Sequence, residues 1–237
     1  TRYGTVTGVQ TCALPIFQQT LREEGFSIQE EAADIPTAFV ASFGSGRPVI
    51  GILAEFDALP GITQSALPRR DELPNQRAGH ACGHHLFGTA STAAAIALRH
   101  WLAETGRRGT IRLYGTPAEE GGSGKVYMVR AGLFDDVDTV LHWHSADRNT
   151  ANPATSLANK SARIRFKGRS SHAAAAPERG RSALDGVEAL NFMVNLMREH
   201  VPQETRIHYV ITEGGKAPNR SEEHTSELQS QFRISYA

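Results

Sequence analysis

The run Val49–Phe56, VIGILAEF, is apolar at nearly every position and ends in Glu55, with Asp57 just beyond. A strand of that composition belongs in a sheet covered on both faces, because a strand with one wet face would alternate. Gly109–Tyr114 and Val137–Trp143 read as further strands, the second also buried. Glu119 and Glu120 follow the first of these, and His142 and His144 lie at the end of the second. Helical patterns separate the strands: an Ala-rich stretch from about His84 to Glu104 and a shorter one near Val126–Ala131. Strands alternating with helices predict an α/β fold with a mainly parallel sheet. Ligands of such sheets collect outside the carboxyl ends of the strands, where all three polar pairs fall.

Upstream, Phe17–Gly25 reads as the end of an amphipathic helix, with Phe17, Leu21 and Phe26 on one side and Gly25 as its stop. Ile28–Ala33 is a short candidate strand, and Thr37–Phe43 a β-rich run joined to Val49–Phe56 by GSGRP, a hairpin-like turn. Pro60–Gly79 is polar, rich in Pro and Arg, and expected as a surface loop. Near Asn159 the pattern changes. Ser161–Lys167 alternates, with Ala162, Ile164 and Phe166 on one face. Arg181–His200 is amphipathic through Leu184, Val187, Leu190, Val194 and Met197, and Arg206–Thr212 is another strand. This β-α-β run predicts part of a second, smaller α+β domain.

Both ends carry an anomaly. VTGVQTCALPI at 6–16 and RSEEHTSELQS at 220–230 can be encoded by opposite strands of one DNA, and both resemble translated sequencing-adapter DNA. Residues 1–16 and 220–237 are therefore set aside from fold reasoning, Cys12 and His224 are expected to carry no function, and the natural termini are expected to lie elsewhere. A formal net charge of 0 gives no electrostatic reason to expect nucleic acid or a membrane surface as partner. No stretch approaches the roughly 20 apolar residues of a membrane span. Two cysteines are too few for a disulfide framework and fit a reducing, cytoplasmic setting.

Six of the ten histidines fall in three short segments: His80, His84 and His85, then His142 and His144, then His172. With Cys82 and the strand-end carboxylates they form a thiolate, imidazole and carboxylate set that suits zinc and similar divalent ions. Cys82 and His84 can face one site from a turn at a helix start, where the helix N-terminus also favours a thiolate. Glu119 and Glu120 repel one another in a Gly-flanked loop. Either they are simply solvated, or one binds a metal while the other acts as general base.

The segments AEFDALPG, GHACGH, TPAEEGGSGK, LHWH and FKGRSSHAAAAPERGRSALD, in that order, resemble peptidase family M20, the aminoacylase and carboxypeptidase-like amidohydrolases. The resemblance runs from about Phe17 to Asn219. It implies an incomplete α/β catalytic domain over 17–158 and part of an α+β lid or dimerisation domain over 159–219. It implies two divalent ions, zinc or manganese with cobalt as an alternative, held by Cys82, His84, Glu120 and His144. Glu119 takes the general-base position, Asp57 orients a ligand, and His172 reaches a partner subunit's site to steady an oxyanion. His142 is a lesser candidate for the ligand at its strand end, and Asn219 lies near the lid's substrate-facing edge.

The implied activity is hydrolysis of an amide in an N-acyl or N-aroyl amino acid, aminobenzoyl-glutamate-like, or in a small peptide. Arg163, Arg169 and Arg181 are candidates for a carboxylate clamp. The implied partners are a small-molecule substrate and either a second copy through the lid or a related subunit. The family places a further His ligand after the lid, so the chain as it stands is expected to be inactive. Two other readings stay open: a non-catalytic dimerising scaffold, and a thiol enzyme with Cys82 as nucleophile and His84 as base.

Overall fold

The computed structural model describes residues 7–151, 157–158, 160–172, 174–215 and 226–233, with 7–12 and 226–233 described by backbone alone. Asn219 lies outside them. The chain divides into two compact units, Thr1–Asn149 and Thr150–Ala237.

The first unit runs α1 (Thr7–Glu23), β1 (Ser27–Glu30), β2 (Phe39–Ser45), β3 (Val49–Glu55), β4 (Leu59–Pro60), β5 (Ala78–Gly79), α2 (His84–Thr105), β6 (Gly109–Thr116), α3 (Gly124–Arg130) and β7 (Thr139–Leu141). Its five-stranded sheet has the order β1-β2-β6-β3-β7. Only β2 runs against the others, so the sheet is mainly parallel, as the alternating pattern requires. α1 stops at a left-handed Gly25, with the Phe26 amide donating to the Leu21 carbonyl at 2.9 Å.

Period-two burial sorts the strand residues between two cores. Phe39, Ala41, Ile52, Ala54, Ile111 and Leu113 pack with Phe17, Leu21, Phe26 and Phe56 on one face. Val40 and Tyr114 pack with Ile35 and Met128 on the other, where Leu53 and Phe134 join them. The sheet is thus covered on both sides, as the unbroken apolar run of β3 demands.

One small residue sets the seat of α2 on that sheet. A Cβ at Gly88 would stand 2.8 Å from the Glu55 carbonyl oxygen and 2.9 Å from the Phe17 ring. The Ser91 hydroxyl, one turn on, donates to the Leu53 carbonyl at 2.8 Å. Gly88→Ala is expected to cost about 1–3 kcal/mol through overpacking, read as a lower melting temperature. A variant melting with the wild type would mean the helix stands further off.

Two expectations need correction. β2 and β3 form no hairpin, because β6 lies between them. The GSGRP connection steps over the start of β6 and is pinned there: the Thr110 hydroxyl donates to the Gly46 carbonyl at 2.8 Å and its amide to Pro48 at 2.9 Å. Second, β7 is not buried. It is short, pairs with β3 alone among the described residues, and leaves Val140 and Leu141 43% and 52% exposed. Pro60–Gly79 is an exposed loop, as expected, with its two ends tied together. Leu59 and Pro60 pair with Gly79 and Ala78, and the Gly61 amide donates to the Arg77 carbonyl at 2.7 Å.

The second unit contains β8 (Lys160–Phe166), α4 (Ala183–Met197), β9 (Arg206–Glu213) and β10 (Ser226–Arg233). β10 is the middle strand, antiparallel to both β8 and β9. Its first five residues, 226–230, belong to the RSEEHTSELQS run, and they pair through backbone donors and acceptors with both neighbours. α4 starts at Ser182, whose hydroxyl accepts from the Asp185 amide at 3.2 Å, and buries Val187 and Val194. Arg169 and Arg181 are joined by reciprocal backbone hydrogen bonds of 2.8 Å. No helix among the described residues is long and apolar enough to cross a membrane.

Candidate metal centre

Three parallel strands deliver the polar residues. β3 ends at Glu55 with Asp57 beyond it, β6 leads through Pro117 into Glu119 and Glu120, and β7 leads to His142 and His144. A fourth contribution comes from the turn before α2. The Gly83 amide donates to the His80 carbonyl at 3.1 Å, and Gly83 is left-handed at φ 82°. The chain reverses there, and His84 enters the first turn of α2 at 1% exposure. Phe87 lies beneath, its ring centroid 5.3 Å from that of His84 and 4.6 Å from that of His144.

Asp57 organises the centre. Its Oδ1 lies 2.9 Å from His84 Nδ1, and its Oδ2 accepts from the Glu120 amide at 3.0 Å. With Nδ1–H donating to a carboxylate, His84 Nε2 presents its lone pair. That nitrogen is buried and has no hydrogen-bond partner, and the same is true of Glu120 Oε1, 3.8 Å away. Glu55 Oε2 and Glu119 Oε2 lie 3.3 and 4.0 Å from the same nitrogen. On the other side Cys82 Sγ stands 3.3 Å from His144 Nε2, while His144 Nδ1 pairs with the Ser145 carbonyl at 3.0 Å.

Two triads result, Cys82–His84–His144 and His84–Glu119–Glu120, and within each the donor atoms lie within 4.8 Å of one another. Donors bound about 2.0–2.3 Å from one tetrahedral ion stand roughly 3–4 Å apart, so the residues fit divalent metal. The buried, unpartnered Nε2 and Oε1 are the acceptors such an ion would satisfy.

The electrostatics point the same way. Burial and the Glu120 carboxylate push the Cys82 thiol up to about 11. Burial, with Glu119 beside it, raises Glu120. Both shifts come first from burial and then from the neighbouring carboxylates, and a bound cation would offset both. A thiol nucleophile would need a lowered pKa, and the imidazole beside Cys82 is His144 rather than His84.

Sequence reasoning noted Glu55 but gave it no role, and missed Lys125. Glu55 is 3% exposed, its Oε1 paired with Lys125 Nζ and lying 3.7 Å from His142 Nε2. The end of an apolar strand signalled Glu55, but nothing local signals a partner 70 residues away. His142 faces this pair and stands outside both triads. Burial lowers its pKa. His172 lies in the second unit, exposed, where its Nδ1 accepts from the Ala174 amide at 3.2 Å.

A covered, mainly parallel sheet with thiol, imidazole and carboxylate donors converging at its strand ends defines an α/β protein with a candidate metal centre. Residues 51–232 match the model of peptidase family M20/M25/M40. The chain is 49% identical over 202 residues to one of the p-aminobenzoyl-glutamate hydrolase subunits of Escherichia coli (84% of this chain, 42% of the relative). It is 32% identical over 194 residues to the Xaa-Arg dipeptidase of Mus musculus (78% and 41%). The chain belongs to peptidase family M20/M25/M40, and it spans about two fifths of the length of these curated relatives. In fold it is similar to a dinuclear metal-binding M20 peptidase of Bacillus subtilis, with TM-score 0.60 and 21% identity over 96% of this chain and 59% of that one.

Proposed function

We propose that the protein hydrolyses the amide bond of an N-acyl or N-aroyl amino acid, aminobenzoyl-glutamate-like, at a pair of divalent ions, zinc or manganese. One observation carries the reading: His84 Nε2 and Glu120 Oε1 are buried without hydrogen-bond partners and lie 3.8 Å apart. Cys82, His84, Glu120 and His144 would hold the ions, which when bound supply Lewis acidity to the scissile carbonyl and to the attacking water. Asp57 fixes the His84 ring and the Glu120 backbone together.

Glu119 is the proton carrier. Its side chain is 46% exposed against 16% for Glu120, so it can meet substrate while its neighbour turns inward. It takes a proton from the water and returns it to the leaving amine. His172 donates a hydrogen bond to the developing oxyanion from a partner subunit, a role worth roughly 3–4 kcal/mol of barrier. The partner is a second copy or a related subunit, and the setting is cytoplasmic.

The test is hydrolysis of p-aminobenzoyl-glutamate and other N-acyl amino acids by the complete, metal-loaded protein. Release of free amino acid, dependent on added zinc or manganese, is expected. No release with zinc, manganese or cobalt contradicts the proposal. Asp57→Asn is expected to weaken metal binding about 10–100-fold, the usual effect of losing a ligand's orienting partner, measured by competition with a chromogenic chelator. An unchanged affinity would remove Asp57 from that role.

A further inference from the structure

Glu55, buried at the end of β3, has no part in the hydrolysis described above, yet it lies against the centre. Its Oε2 is 3.3 Å from His84 Nε2. Asp57 takes the Nδ1–H of His84, so the facing Nε2 is an acceptor, and it has no hydrogen-bond partner. Two acceptors that close repel unless a cation lies between them. The spacing is also within the roughly 3–4 Å expected of two donors on one tetrahedral ion. By chemistry and by distance Glu55 thus resembles a ligand of an ion held at His84. It nevertheless belongs to neither of the two donor triads.

Its other oxygen is what holds it aside. Oε1 accepts from Lys125 Nζ and lies 3.7 Å from His142 Nε2. Lys125 is the second residue of α3, and the loop that brings it back to the end of β3 is tightly closed. The Gly122 amide donates to the Ala118 carbonyl at 2.9 Å, and a Cβ at Gly124 would stand 2.2 Å from the Pro117 carbonyl oxygen. Ala118 and Ser123 are left-handed at φ 59° and 55°, a conformation that costs energy outside glycine and persists only where the surroundings fix it. The same loop carries Glu119 and Glu120. It is therefore tied to the β3 end twice, by Asp57 at the Glu120 amide and by Glu55 at Lys125.

We propose that Lys125 is a positioning residue that acts through Glu55: by occupying Oε1 it keeps this carboxylate off the metal and so preserves the open coordination position that the attacking water needs. This rests on the metal-dependent hydrolase reading above and says what limits the coordination number at its centre. Without Lys125, Glu55 is a buried carboxylate that has lost its ion-pair partner, a costly state. The ions at His84 are then the counter-charge within reach. A carboxylate that turns onto them takes the water's place, and its negative charge weakens the activation of any water that remains.

The test is cobalt(II) titration of the complete protein, read in the d–d bands, whose intensity falls as the coordination number rises. Lys125→Met is expected to bind cobalt with undiminished affinity, to give weaker d–d bands than the wild type, and to lose about 10–100-fold in kcat, the usual scale for a residue acting around a metal's ligands. Lys125→Arg keeps the charge and should behave as the wild type. Glu55→Gln added to Lys125→Met should restore both band intensity and kcat, because a neutral amide is a poor ligand. Glu55→Gln alone should keep the wild-type bands and metal stoichiometry, a result independent of how well Lys125→Met folds. Wild-type bands in Lys125→Met, a cobalt affinity that falls with Lys125, or a double variant no better than Lys125→Met would overturn the proposal. So would cobalt lost in Glu55→Gln, which would make Glu55 a ligand itself. A wild type that shows these spectra and releases no amino acid would defeat the hydrolase reading alone.

Discussion

Glu119→Gln in the complete protein is expected to keep its metal content and to lose about a hundred- to ten-thousand-fold in kcat, the usual share of a positioned general base. The amide is isosteric, so packing in the PAEE loop is undisturbed, and Glu119 is the more exposed of the two carboxylates. Glu120 holds its place through a backbone bond to Asp57 that the substitution leaves untouched. A drop in kcat with unchanged metal stoichiometry separates the roles of the adjacent residues. Equal activity of the variant would favour a scaffold with no catalysis at this loop.

Cys82→Ser is expected to weaken metal binding by more than the roughly 10–100-fold assigned to an orienting residue such as Asp57, because it removes a donor outright. Its pH dependence is equally diagnostic. With the thiol pushed up to about 11, Cys82 is protonated at neutral pH, and an ion seated on Sγ must displace that proton. Affinity in the wild type therefore rises with pH, up to about tenfold per unit from this group. The serine variant should lose that slope. Calorimetry in buffers of different ionisation enthalpy reads the released proton directly.

The residues that make the site legible are those whose chemistry is local. Cys82 and His84 sit two apart at a helix start, and Glu119 and Glu120 are adjacent, so short-range spacing brings each pair together. Apolar periodicity likewise fixes β3 and α2 to within a residue or two. What the sequence does not show is lateral order. GSGRP reads as a hairpin turn because its flanks are β-rich, yet β6, more than fifty residues on, takes the place between them. Exposure of β7 is hidden for the same reason: a run of Val and Leu looks alike whether or not something covers it. The Lys125–Glu55 pair is long-range and carries no motif. His172 is the reverse case, prominent in sequence but placed in the second unit, where its local turn alone is described.

Everything rests on Cys82, His84, Glu120 and His144 sharing divalent ions. Titration of the protein with cobalt(II), followed by thiolate-to-cobalt charge-transfer absorption, tests this most directly. Two equivalents are expected to bind, with a thiolate band in the wild type that disappears in Cys82→Ser and an equivalent lost in Glu120→Ala. Saturation without a thiolate band, or a band unchanged in Cys82→Ser, would contradict a shared centre.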